Sequence, residues 1–570
     1  MSARSWLPFA AAALLVAVVG ALLPPTGFYC MDAGPKYLQT RAILESSELP
    51  RAIPYPGLAL DPDGLYLPDS MQRAGSGVVS IFPVLLPLLA APGLALGGPR
   101  WLLLVPFLGA VVAAWLAGRL ALRLAGPREA RLVTTVSLLA TPLAFYALTF
   151  WEHAPGAALV LGALLAIVRA IDGEGGPGTW ALAGALLALA AGMRTEYVVM
   201  LPLVLAPLAT GGGGRRWTST LAAGAGAAGG LATVAALQRL VLGAWLPPHF
   251  AHNAALGKLP VHPAGDWLAL LGKFLAPDVW SGAAVALWAA ALIAALLPAS
   301  RQRKTTRVLT VLAAVGVLVA AVAPSLLRWL GGMRPTMAFP HYAVSVTWLV
   351  LAALPVAIAG PPPVRRAAAR QVLGAAALWL IAASALLWPL NDDTMQWGAR
   401  QWLAAILIAV VLMLTAPPAA GGWGRVRRAV IAAAVAAGIG VNLLGFALLH
   451  HATRGNEALV RRLLAATRPG AVIVTDTPFL PEYAAMAWQE RKILYCRDGA
   501  AFAALLDRIA AGGPDEWFIA YVEHAPNRRH AFTAGGEIRA ADGTRFVRTA
   551  ADAGLTGGRE LHVMRFRRAP

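Results

Sequence analysis

Asp32, in the stretch CMDAGPKY, follows the chain's first long apolar run and stands where that run would leave a membrane. A carboxylate held there can take a proton from an incoming hydroxyl as a general base. The same aspartate reads equally well as a surface-loop residue or as the cap of a helix beginning near Pro35. One helical turn further on, Lys36 offers a compact point charge, with Tyr37 beside it. Glu152 and His153, in TFWEHAP, form an ionisable pair in a short turn between two apolar runs. Ionisable groups at that depth are costly to desolvate and so point to function. Trp151, next to them, is the kind of residue that anchors an ordinary solvated loop at the interface. Arg194, in AGMRTEY, closes a short apolar run. Its guanidinium fork suits phosphate oxygens, and snorkelling to the interface is the competing explanation. The loop PPHFAHNAALGKLPVHP supplies His249, His252 and Asn253, and GGMRPTMAFPHY supplies Arg334 and His341. His249 and His252 are spaced i, i+3, which permits a shared helical face. The loop is proline-rich, however, with no cysteine and with Asp266 as its nearby carboxylate, which argues against a metal site.

What must position these residues is mostly membrane. Hydrophobic residues make up 58% of the chain and charged residues 13%, against a charged share of about 25% in a soluble domain. The apolar residues come in blocks long enough to cross the hydrocarbon layer, such as Ser5 to Met31. The net charge of +19 does not indicate nucleic-acid binding, because the basic residues are not gathered in one patch with aromatics. They sit in short clusters between apolar blocks: Arg119, Arg123, Arg128 and Arg131; Arg215 and Arg216; Arg301, Arg303, Lys304 and Arg307; Arg365, Arg366 and Arg370; Arg425, Arg427 and Arg428. That is the positive-inside pattern of a multispanning protein. The N-terminus resembles a signal peptide but lacks a convincing cleavage site, so it reads as a retained first span.

With the basic clusters placed inside, the first span covers about residues 6–23 and leads into a long external segment, 24–100. The run Val78 to Leu96 is broken by Pro83, Pro87 and Pro92 and reads as a helix at the outer interface. Further spans fall near 101–121, 132–150, 155–171, 178–193, 197–211, 218–240, 279–298, 308–328, 341–360, 371–390, 402–417 and 429–450, about thirteen crossings in all. Residues 1–453 then form a transmembrane domain and 454–570 an external one. In the latter, AVIVTD, KILYCR and EWFIAYV read as strands, with helical runs Leu480–Gln489 and Ala500–Ala511 between them. This order gives a small α/β domain with a parallel or mixed sheet and no evident catalytic set. The expected architecture is therefore an all-α polytopic membrane protein with a C-terminal external α/β domain. Cys30 and Cys496 both fall outside in this threading, and their spacing leaves pairing open.

This layout resembles the GT-C membrane glycosyltransferases, the group of protein O-mannosyltransferases and bacterial aminoarabinose transferases. The resemblance is carried by Asp32 in CMDAGPKY, by the interfacial stretch SIFPVLLPLLAAPGLALGG, by Glu152 in TFWEHAP and by AGMRTEYVVMLPLVLAP. The second loop offers Glu-His where relatives often carry Asp or an acidic pair, which leaves a divalent cation open as a cofactor and its ligands unassigned. The resemblance implies transfer of a sugar from a polyprenyl-phosphate donor to a lipid, glycan or protein acceptor at the outer face, in a bacterial inner membrane. Asp32 would be the base, and Glu152 would orient the acceptor or bind a cation. Lys36 and Arg194 would hold the donor phosphate. Tyr37, His153, His249, His252, Asn253, Arg334 and His341 would contact substrate. The alternative is a transporter or flippase of lipid-linked sugars. Against it, no internal repeat is evident, and the ionisable residues gather at span ends rather than at mid-membrane.

Overall fold

The structure is a computed structural model. It describes residues 6–210, 215–249, 290, 367–387, 400–417, 421–523, 535–556 and 559–570. Its first half carries the helices α1 (Leu7–Leu22), α2 (Ala33–Glu45), α3 (Leu85–Gly97), α4 (Leu104–Leu124), α5 (Pro127–Leu139), α6 (Leu143–Tyr146), α7 (His153–Ile171), α8 (Pro177–Met193), α9 (Ala206–Thr210) and α10 (Arg215–Leu242). The strands β1 (Ile53–Pro54), β2 (Met71–Ala74) and β3 (Gly77–Ser80) lie between α2 and α3. Then follow α11 (Ala367–Leu387), α12 (Leu403–Leu414) and α13 (Gly421–Ala466). The C-terminal part adds β4 (Val472–Thr475), α14 (Leu480–Tyr483), β5 (Lys492–Tyr495), α15 (Gly499–Gly512), β6 (Glu516–Glu523), β7 (Glu537–Arg539), β8 (Arg545–Thr556) and β9 (Arg559–Arg568).

Two compact units interleave along the sequence. One takes Met1–Gly20, Val105–Val234 and Leu256–Leu448; the other takes Ala21–Leu104, Ala235–Ala255 and Leu449–Pro570.

The first unit is helical. Four helical stretches among the described residues are long and apolar enough to span a bilayer: Pro99–Leu124, His153–Ile171, Arg216–Leu242 and Gly424–Ala466. Large apolar side chains point outward along them, among them Leu108, Val112, Trp115, Leu221 and Leu443. Such an exterior is stable against lipid, where backbone groups are satisfied within each helix. The chain is an integral, multi-pass membrane protein. The spans expected at 279–298, 308–328 and 341–360 lie outside the described residues. Helices α8 and α10 approach closely through small residues: a Cβ at Gly184 would run into the carbonyl of Ala223, and one at Gly226 into that of Ala181.

Two expected spans are not continuous helices. The 132–150 run stops at Leu139, because Pro142 lacks the N–H that would carry the helix on. Thr141 turns its hydroxyl back to Ser137 O at 2.6 Å, and the carbonyls of Leu139 and Thr141 accept from the buried Asn442 amide at 2.7 Å each. The 197–211 run is 3-10 over Thr195–Leu205, with Pro202 inside it, before the short α9. The Trp379 indole donates to the carbonyl of Val199, within that loosened stretch.

The second unit contains α2, which is buried on nearly every side. It rests on a three-stranded antiparallel sheet, order β1-β3-β2, and on α3. The 78–96 run is thus not one helix: β3 takes its start, Pro83 interrupts it, and α3 takes the rest. The C-terminal sheet is mixed, in the order β5-β4-β6-β9-β8-β7. Strand β4 lies parallel to β5 and β6, while β9 and β8 continue the sheet antiparallel. The expected helix at 480–489 is a single turn, α14, followed by a 3-10 turn at Ala484–Ala487. Cys30 and Cys496 are both buried thiols and form no disulfide; burial pushes the Cys496 thiol up to about 12.

Candidate active site

In the second unit, α2 begins at Ala33, two residues before the expected start. Asp32 occupies the position just before it, yet its carboxylate makes no capping hydrogen bond to the helix. The positive end of the helix dipole favours the ionised carboxylate there. Lys36 lies one turn along the same face. It is 0% exposed, and its Nζ stands 4.4 Å from the centre of the Phe82 ring. An ammonium over an aromatic face is drawn to the negative face of the ring. Tyr37 is buried beside it and packs on Phe28, with ring centres 5.7 Å apart. The backbone N–H of His249 donates to Ile81 O at 3.1 Å, so the loop after α10 reaches the strand end next to Phe82.

The tight seat of α2 depends on Gly34. A Cβ at this position would run into the backbone carbonyl of Glu482 and press on Ala485. Because the obstacle is backbone, little can give way. Gly34→Ala is expected to cost about 1–3 kcal/mol or more, read as a lowered melting midpoint of the detergent-solubilised protein. Unchanged melting would show that α2 and α14 are not in this contact.

In the first unit, the break after α5 delivers Trp151, Glu152 and His153 to the start of α7, and Arg194 follows the end of α8. Arg194 is 5% exposed. Its Nη1 lies 3.4 Å from Glu152 Oε1 and contacts His153 Nε2, while its Nη2 pairs with Glu196. A guanidinium only donates, so His153 meets it with the Nε2 lone pair as a neutral imidazole. The His153 ring is stacked on Tyr146 with centres 4.6 Å apart, and Trp151 lies 4.9 Å away. Two carboxylates share one guanidinium here.

The structure therefore gathers Asp32, Lys36 and Tyr37 with the His249 backbone in one unit, and Glu152, His153 and Arg194 in the other. His252, Asn253, Arg334 and His341 lie outside the described residues. Two acidic residues at these clusters were not singled out from sequence: Glu196, which shares Arg194, and Glu482, whose carbonyl abuts Gly34. The nearness of Glu196 to Arg194 in MRTEY was a readable signal, whereas nothing in FLPEY marks Glu482. For a metal, the described residues offer one set of donors within 4.8 Å of one another, Glu523, Glu560 and His562, on the C-terminal sheet and away from both clusters in sequence.

No family model and no curated protein matches the chain. Among solved structures, it is similar to ArnT from Cupriavidus metallidurans bound to undecaprenyl phosphate, with 15% identity, a TM-score of 0.44, and coverage of 99% of this chain and 98% of that one. It is also similar to the archaeal oligosaccharyltransferase AglB from Archaeoglobus fulgidus in complex with an inhibitory peptide and a dolichol-phosphate. That match has 12% identity, a TM-score of 0.45, and coverage of 90% and 69%. Both neighbours are GT-C glycosyltransferases. At this level of similarity the roles of individual residues rest on this chain's own chemistry.

Proposed function

We propose that the protein is a GT-C-type glycosyltransferase that moves a sugar from a polyprenyl-phosphate donor to an acceptor at the outer face of a bacterial inner membrane. The observation that carries this reading is the pairing on α2 of a carboxylate not engaged as a helix cap with a fully buried lysine one turn later. Glycosyl transfer needs that combination. The acceptor hydroxyl attacks the anomeric carbon and gives its proton to Asp32, the bond from that carbon to the phosphate oxygen breaks, and Lys36 stabilises the departing lipid phosphate. Glu152, held by Arg194 with His153 beside it, serves to orient the acceptor or a cation, and Tyr37 stands next to Lys36 on α2. In this reading residues 1–453 form the transmembrane domain and 454–570 a periplasmic one.

The test is transfer of radiolabel from undecaprenyl-phosphate pentoses and hexoses in membranes containing the protein. Label reaching a lipid, glycan or protein fraction above vector-only membranes supports the reading. Absence of transfer from every donor, with the protein present, removes it.

A further inference from the structure

Two buried carboxylates of the second unit, Asp61 and Glu482, are treated differently. Asp61 is fully employed by its own loop: it accepts from the Tyr55 hydroxyl at 2.7 Å and from the backbone N–H groups of Leu65 and Tyr66 at 2.7 and 3.0 Å. That is a structural aspartate. Glu482, on α14 and 4% exposed, is placed differently. The Ser70 hydroxyl donates to its Oε1, while Oε2 is buried without a hydrogen-bond partner among the described residues. A carboxylate left in that state loses its hydration without repayment, whereas a protonated carboxyl keeps an O–H to offer.

The groups around Glu482 act in the same direction. Its backbone carbonyl lies against Gly34, so the N-terminal turn of α2 is packed on it, and the Asp32 charge is felt from there. Asp69, next to Ser70, adds a second negative charge and is itself paired with Arg497 at 2.6 Å. Tyr483, next along α14, has the Arg559 guanidinium 6.0 Å from its ring centre. The Glu482 carboxyl is pushed up to about 8, chiefly by burial, with the Ser70 hydroxyl partly offsetting this and the Asp32 and Asp69 charges adding to it. Two carboxyl groups that feel each other's charge do not both ionise readily, and the more deeply buried one keeps the proton.

We infer that Glu482 is the proton-holding partner of Asp32, a neutral carboxyl from the C-terminal part of the chain that leaves Asp32 as the negative member of the pair. Glu482 is thus a positioning residue, acting through Asp32 rather than on substrate. The inference rests on Asp32 being the base of the proposed transfer. It gives the C-terminal domain a part in the chemistry: the domain sets the charge at the site as well as scaffolding it. Above about pH 8 Glu482 ionises, the pair carries two negative charges, and transfer falls.

Glu482→Gln keeps the shape, an oxygen for Ser70 and a neutral donor. It is expected to transfer sugar within about threefold of wild type at pH 7 and to lose the wild-type decline above pH 8. Glu482→Ala, which keeps neither group, is expected to be impaired at both pH values. A Glu482→Gln variant that is folded but inactive at pH 7, or that declines above pH 8 as wild type does, overturns the inference. A readout free of activity separates this outcome from failure of the proposed function. Infrared difference spectra of the purified full chain, with labelled glutamate, should show a protonated carboxyl band at pH 7 that is missing in Glu482→Gln. Its titration midpoint should move to lower pH in Asp32→Asn. No such band, or a midpoint indifferent to Asp32, rejects the pair even if no sugar donor is ever found.

Discussion

Asp32→Asn is expected to lower transfer from an undecaprenyl-phosphate sugar by about 10²–10⁴-fold, the usual contribution of a positioned base. The protein level and melting midpoint should stay close to wild type. Both halves of that expectation come from the same observation. Asp32 occupies the capping position of α2 but makes no capping hydrogen bond, so the substitution removes no helix cap. An ordinary capping aspartate would behave in the opposite way, losing about 1 kcal/mol of stability on substitution without a specific loss of activity. Measuring turnover and melting on the same preparation therefore decides between the two. A stable, inactive Asp32→Asn supports the base. A destabilised variant with proportionate residual activity assigns Asp32 to structure and moves the search for a base to the Glu152 cluster.

The sequence made the membrane part of this fold readable because its signals are redundant. Hydropathy and basic clusters agree over α4, α7, α8, α10 and α11, and the helix bounds fall close to the expected spans. Where a span fails, as after Leu139, the cause is a proline whose freed carbonyls are taken by Asn442, some three hundred residues later; local pattern cannot foresee that partner. The C-terminal sheet shows the same limit. Strands β4, β5 and β6 are apolar runs and were legible. Strand β9, RELHVMRFRR, buries Leu561, Val563, Met564 and Phe566 among charged residues, and β8 is mostly exposed, so charge hid their pattern. The polar clusters divide along similar lines. Arg194 and Glu152 each looked notable alone, but the contact between them is made by tertiary structure. Glu482 is chemically informative only because the fold packs it beneath α2, and its sequence neighbours are unremarkable apolar and aromatic residues.

Arg194→Met should lower the stability of the protein by about 3–5 kcal/mol, the cost of breaking a buried ion pair by removing one partner. Its guanidinium faces Glu152 and Glu196, whose side chains are 11% and 15% exposed, and truncation removes the cation that both carboxylates share. The same logic predicts recovery. Glu152→Gln and Glu196→Gln introduced together with Arg194→Met remove the stranded charges, and the triple variant should regain much of the lost melting temperature, since residues in one network do not add independently. Arg194→Lys should fall between, because a point charge cannot serve two carboxylates and an imidazole with the geometry of a planar fork. The competing role, a direct ligand of the donor phosphate, makes a different forecast for the same variants. If Arg194 reaches the donor, it must exchange one of its present partners, and Arg194→Met would raise KM for the polyprenyl-phosphate sugar while leaving melting nearly unchanged. A large fall in melting midpoint rescued by the two glutamine substitutions assigns Arg194 to holding Glu152 and His153 in place. An unchanged midpoint with weakened donor binding would instead assign Arg194 to the donor phosphate, and Glu152 would then be oriented by its position at the start of α7.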